Sequence, residues 1–199
     1  MYAAVDDPYC YPDTTILKNK LDLKRQRELD AFESEMSFER STESLPPGRL
    51  SYSHFRAIHR HLFQDVYAWA GKVRTVRISK GESTFCYPEH IDQEMAKLFK
   101  ALRRTGHLRG TSPQDFAKQA AHFLAELNAI HPFREGNGRT QLTFLTLLAY
   151  RAGHPLVLKR MNPERIMRAV IASFGGQEAP LARMILSLIE GQGRIEPKA

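Results

Sequence analysis

One short stretch of the chain, His131-Pro132-Phe133-Arg134-Glu135-Gly136-Asn137-Gly138-Arg139-Thr140, combines a base, a carboxylate, two glycines around an amide, and two guanidinium groups. Glycines at 136 and 138 open backbone conformations closed to other residues, so successive N–H groups can turn inward as a nest for an anion. The apolar helix expected directly behind them adds its unpaired N-terminal amides and its dipole, which makes a phosphate the natural ligand. Arg139 contributes a guanidinium in the first helical turn, and Glu135 a carboxylate able to hold a divalent cation that bridges phosphate oxygens. His131 is the group able to take a proton near neutral pH. A Gly-Asn-Gly turn between two helices, with the histidine packed in the core, explains the parts singly; the whole string at helix-loop-helix spacing favours the phosphate site.

Periodicity locates the elements that must position these groups. Phe116, Ala120, Phe123, Leu127 and Ile130 form a core stripe on a helix from Pro113 to about Ile130, and the stripe carries His131 to its interior end. Pro132 stops that helix and Phe133 anchors the turn. The run Leu142 to Ala149 is apolar nearly all round, which predicts a central buried helix with Leu142 beside Leu145 and Ala149 in the core and Gly153 as the C-cap. Upstream, residues 6–12 are expected to lie extended, with Asp13 or Thr14 capping a short helix from Ile16 to Leu21. A helix follows from about Leu23 to Arg40, then a loop from Ser41 to Gly48. Phe55, Ile58, Leu62, Val66 and Trp69 predict one core-facing helix from about Ser51 to Trp69. Its His54, His59 and His61 lack i, i+4 spacing and read as packing or surface residues rather than metal ligands. Val73, Val76 and Ile78, the turn Lys80-Gly81-Glu82-Ser83, and Thr84-Phe85-Cys86-Tyr87 predict a small hairpin. Helices from Pro88 to about Thr105, from Asn162 to the Gly175-Gly176 pair, and from Ala179 to about Glu190 complete an all-α chain, with a frayed tail from Gly191.

The 199 residues are read as a single domain with terminal extensions, and 42% hydrophobic residues with mixed charge exclude wholesale disorder. A net charge of +7 suits an acidic ligand without choosing among nucleotide, nucleic acid and acidic protein. Scattered basic residues without an aromatic-interleaved stripe argue against nucleic acid. Cys10 and Cys86 are too few for a disulfide framework and lack metal-ligand spacing. No leader or membrane-spanning run is present, so the expectation is a soluble cytoplasmic protein, export by a specialised route aside.

The string from His131 to Arg139 resembles the core motif of the Fic family, His-x-Phe-x-(Asp/Glu)-Gly-Asn-Gly-Arg-x-x-Arg, with Leu142 where the second arginine belongs. The segment Ile58 to Gly71, ending in Trp69-Ala70-Gly71, is similar to the family's helix and turn before the flap. The resemblance implies an all-α Fic-type helical bundle with a small β-hairpin flap: an N-terminal extension with helices over 1–50, a Fic core over 51–190 with the flap near 73–87, and a tail over 191–199. It implies a protein adenylyltransferase that moves AMP from ATP to a hydroxyl side chain of a target protein. His131 is then the base, Glu135 the Mg²⁺ ligand, and Gly136, Asn137, Gly138 and Arg139 the phosphate holders. Lys80, Gly81, Glu82, Ser83, Thr84 and Phe85 form the flap that docks the target. No (Ser/Thr)-x-x-x-Glu-(Gly/Asn) inhibitory motif occurs; Ser187 comes nearest, with Glu190-Gly191 one residue early. That layout is similar to the toxin-like subclass held by a separate small antitoxin protein, whose targets include the ATPase subunits of bacterial type II topoisomerases. Leu142 keeps two alternatives open: another nucleotide or phosphate donor, or a catalytically weakened basic helical binding module.

Overall fold

The structure is a computed structural model and describes residues 7–81 and 83–191. Glu82 of the expected flap and the expected tail beyond Gly191 lie outside the described residues. Among the described residues, seven α-helices and one two-stranded hairpin follow in the order α1 (Gln26–Thr42), α2 (Tyr52–Phe63), β1 (Ser79–Lys80), β2 (Ser83–Thr84), α3 (Pro88–Arg104), α4 (Pro113–Ile130), α5 (Asn137–Ala152), α6 (Pro163–Phe174) and α7 (Ala179–Leu188). Helix α4 is the hub, packing on α3, α5, α6 and α7, while α2 bridges α1 and α5. One apolar cluster runs through the molecule from Cys10 to Ile189.

Local chemistry sets most boundaries. Ser51 and Ser112 cap α2 and α4 by accepting from the amides of His54 and Asp115, and prolines occupy the first turns of α3, α4, α6 and α7. Gly153 closes α5 with a left-handed φ of 87°.

Four expectations need correction. Residues 16–21 form no helix. Asp13 takes a left-handed φ of 57°, and an antiparallel bridge joins Cys10 to Leu17, with Tyr11 N donating to Ile16 O at 3.0 Å, so the Pro-flanked segment turns back on itself. The helix expected over 51–69 ends at Phe63. Beyond it, successive turns place Val66 and Tyr67 inside by another route, and Gly71, at φ 78°, folds back so that its N–H reaches His59 Nδ1 at 2.8 Å. Val73 and Val76 enter no strand, because this stretch is stitched to the end of α4 instead: Arg74 N donates to Pro132 O and Cys86 N to Ala129 O. Helix α5 is buried on one face only. Gln141, Phe144, Leu145 and Leu148 face inward, whereas Leu142 is half-buried and joins Phe38, Leu45, Leu62 and Leu147 around an open groove of about 600 Å³ between α1 and α5. Two threonines on that face, Thr143 and Thr146, satisfy their hydroxyls on the helix's own carbonyls of Arg139 and Leu142.

Candidate active site

His131 is the C-cap of α4, in a left-handed conformation (φ 51°, ψ 65°) and only 4% exposed. Its Nδ1 lies 3.2 Å from the carbonyl oxygen of Asn128, which makes Nδ1 the protonated nitrogen and Nε2 the basic one. Phe85 stacks on the imidazole with ring centroids 4.0 Å apart. The carbonyls that end α4 are gathered by Arg74, which is 1% exposed. Its guanidinium donates to His131 O (2.8 Å), Ile130 O (3.2 Å), Val76 O (2.7 Å) and Cys86 O (2.6 Å). Burial pulls Arg74 down to about 10, which leaves it charged at neutral pH. One cation therefore pins both flanks of the hairpin to the histidine.

The loop after His131 is held from inside. Asn137 is fully buried, and its side chain accepts from Phe133 N (2.9 Å) and donates to Phe133 O (2.8 Å), so only its backbone remains for a phosphate. Phe133 stacks on His59 at 3.7 Å and on Phe55 at 5.5 Å, the anchoring expected of it. His59 takes the Gly71 N–H on Nδ1 and donates from Nε2 to Glu135 O at 3.0 Å; burial pushes its pKa down to about 3, so it stays neutral. Arg134 is buried and pairs with Asp7 at 2.7 Å, tying the N-terminal segment to the loop.

The two glycines differ. Gly136 sits at φ 79°, and a Cβ there would lie 2.4 Å from the Phe63 ring, so protein packing demands glycine. Gly138 is helical, exposed, and a Cβ there would meet no heavy atom within 4 Å. The sequence expectation of special backbone geometry holds for Gly136 and not for Gly138. The first intrahelical bond of α5 runs from Thr140 N to Gly136 O, which leaves the amides of Asn137, Gly138 and Arg139 at the open end of the helix.

Arg139 lies over the Phe63 ring at 4.7 Å, donates to Ser37 Oγ at 2.9 Å and pairs with Glu33 of α1. Glu33 also accepts from Tyr67 O–H, whose pKa rises through burial and through that carboxylate. Glu135 turns one carboxylate oxygen onto Gly136 N at 2.9 Å. Burial, with Glu33 adding repulsion, pushes its pKa up. A divalent cation fits this pair of acids chemically, since it would relieve a carboxylate that is otherwise costly to ionise. No group of three His, Cys, Asp or Glu suited to a metal occurs among the described residues. An ion held by Glu135 would take its remaining ligands from substrate phosphates and water, the coordination that Mg²⁺ favours.

The flap residues lie beside this centre. Ser79 pairs with Thr84 and Lys80 with Ser83, and the turn between holds Gly81 at φ 59°. Thr84 is exposed, but Phe85, expected to dock the target, is 5% exposed and covers His131 instead. Its position is set by packing, with Phe174 edge-on at 5.7 Å. The residues missed from sequence are Glu33, Tyr67, His59 in its loop-holding role, and Arg74. No sequence signal singled these out: Arg74 lies between β-formers, but so does the exposed Arg77.

Three comparisons relate the chain to known proteins. The sequence profile of the Fic/DOC family matches residues 49–149. A probable protein adenylyltransferase, y4lH of Sinorhizobium fredii, is 53% identical over 189 residues, covering 94% of this chain and 98% of that protein. The crystal structure of the N-terminal Fic domain of a Bartonella quintana effector with bound ADP superposes with a TM-score of 0.83 at 28% identity, covering 91% of this chain and 94% of that one. The BepC effector of Bartonella tribocorum with bound AMPPNP gives 0.82 at 28% identity, covering 91% and 95%.

Proposed function

The chain belongs to the Fic/DOC family, and from that premise we propose that it is a protein adenylyltransferase that moves AMP from ATP to a hydroxyl side chain of another protein. The observation that carries the reading is the juxtaposition of His131, oriented through Asn128 O, with the open amide end of α5 and Arg139. Nε2 of His131 takes the proton of the target hydroxyl, whose oxygen attacks the α-phosphorus. The bond to the bridging oxygen of the β-phosphate breaks, and pyrophosphate leaves. The amides at 137–139 and the Arg139 guanidinium hold the phosphates, so most of the barrier reduction comes from orientation and fixed positive charge. When bound, Mg²⁺ supplies charge neutralisation between phosphate oxygens, and Glu135 is the residue that would hold it. For Arg139 to engage a phosphate it exchanges its bond to Glu33, as its partly exposed side chain allows.

The flap, Lys80 to Thr84, is proposed to pair with an extended segment of the target through main-chain bonds at an edge of the hairpin. Phe85 is a cover for the base rather than a docking residue. Following the family resemblance, the finer assignments are the ATPase subunits of type II topoisomerases as targets and a small antitoxin-like protein as inhibitor. The apolar groove at Leu142 and Phe38, next to Arg139, supports the second. No helix among the described residues is long and apolar enough to cross a membrane.

The test is transfer of label from ATP carrying α-phosphate label to proteins of a bacterial lysate, with GTP, UTP and CTP in parallel and a His131→Ala variant beside the wild type. Label that depends on His131 supports the reading, and its absence with every donor refutes it. Leucine at 142 can donate nothing to a terminal phosphate. A Leu142→Arg variant is therefore expected to tighten ATP by roughly tenfold, the effect of one regained charged hydrogen bond.

A further inference from the structure

Positive charge collects without counter-charge in a second place. A cavity of about 740 Å³ opens between the loop before α2, the first turn of α2 and the C-terminal half of α3; Arg49, Lys100, Arg103 and His107 line it, with Ser51 at the helix start and Phe99 as floor. No carboxylate lines it. Among the described residues none of Arg49, Lys100 and Arg103 forms an ion pair, in contrast to Arg40, Arg134 and Arg139, which pair with Asp65, Asp7 and Glu33. Arg151, outside the lining, donates to the lining residue Gly48 at its carbonyl oxygen, 2.6 Å away. Burial first, and then the charges of Arg109, Arg151 and Arg103, hold His107 below its ordinary pKa. Like charges gathered around a concavity with no acid raise its potential and concentrate anions there.

We propose that this cavity is a second anion site, separate from the catalytic loop, that takes a compact polyphosphate, either free or carried by a nucleotide. The shape chooses the class. The concavity has the size of a small-molecule pocket, whereas duplex nucleic acid needs an extended basic stripe. The exposed Lys100 and Arg103 stand on one face of α3, three residues apart, and Arg49 and His107 face them from two loops, so several phosphate oxygens can be met at once. At its other end α2 carries His59, so the catalytic loop and this cavity share a helix and no lining residue.

Titration of ¹⁵N-labelled protein with inorganic tripolyphosphate, followed residue by residue by NMR, tests the site. Saturable shifts are expected at Ser51–His54 and at Lys100–His107, distinct from any at Gly136–Arg139. The variant Lys100→Glu/Arg103→Glu is expected to weaken the cavity response by roughly tenfold or more, and Arg49→Ala by less. In both, the response at Gly136–Arg139 and adenylyl transfer should be unchanged, so failure of this site is read separately from failure of the transferase reading. A parallel ATP titration separates the two sources: equal affinity assigns polyphosphate alone, and tighter binding a nucleotide. Shifts confined to Gly136–Arg139, cavity shifts indifferent to the charge reversal, or tighter binding of duplex DNA to this face at the same ionic strength would each overturn the proposal.

Discussion

Replacing each glycine of the Gly136-Asn137-Gly138 turn by alanine separates what the protein needs from what its substrate needs. At Gly136 the new methyl carbon would sit 2.4 Å from two ring atoms of Phe63, on a backbone with φ 79°. The left-handed conformation costs about 1–2 kcal/mol for a residue with a Cβ, and overpacking a filled core adds about 1–3 kcal/mol. Gly136→Ala should therefore lose roughly 2–5 kcal/mol of stability. At Gly138 the same methyl meets no heavy atom within 4 Å on helical backbone. The helix preference for alanine predicts a gain of up to about 1 kcal/mol, smaller this near the helix start. If phosphate oxygens approach the amides at 137–139, that methyl occupies their path, and one lost charged hydrogen bond weakens ATP by roughly 10–100-fold. Urea unfolding and ATP titration calorimetry on both variants read the two quantities. A Gly138→Ala protein that is at least as stable as wild type yet binds ATP poorly supports the assignment. If it binds ATP within about twofold of wild type, the phosphates do not reach this backbone and the α5 site is wrong.

Three further outcomes follow from the packing. Arg74→Met strips donors from four carbonyl oxygens at once and should cost roughly 3–5 kcal/mol, less than four separate bonds because the buried charge goes too; Arg74→Lys should recover only part, and a loss under about 1 kcal/mol in urea unfolding would contradict the clamp. His59 titrates near 6.5 when unfolded and is held at about 3 when folded, so its contribution is complete above pH 6.5 and is lost as pH falls toward 3. Between pH 6.5 and 4.5 that is roughly 2–3 kcal/mol, and a His59→Gln variant whose stability falls just as steeply over this window would refute the assignment. Glu33→Gln removes a charge that helps to raise Glu135, so the Glu135 carboxyl should titrate lower in ¹³C-labelled protein; an unmoved midpoint would show that the two acids do not interact.

Much of this molecule was legible in residue types and spacing. The α4 stripe ends at Ile130, and Pro132 forbids continuation, so a histidine at 131 had to fall at the buried end of a helix; it does, at 4% exposure. Pro88, Ser112-Pro113 and Asn162-Pro163 marked helix starts that the structure keeps, because capping and proline preference act within a few residues. Local signals failed where distant partners took over the backbone. Val73 and Val76 have strand propensity, but their stretch is bonded to the end of α4 rather than to a sheet.

Sequence by itself determined the candidate string from His131 to Arg139, its helix-loop-helix setting and the absence of an arginine at 142, since these depend on short-range spacing and residue chemistry. Tertiary structure alone decided that Gly136 is required by Phe63 while Gly138 is open, and that Asn137 spends its side chain on its own loop. It also decided that Arg139 answers to Glu33, more than a hundred residues earlier in the chain, and that Leu142 lines a groove instead of the core. Each of these depends on which surfaces the packed helices bring together, and no periodicity within one element encodes its neighbour.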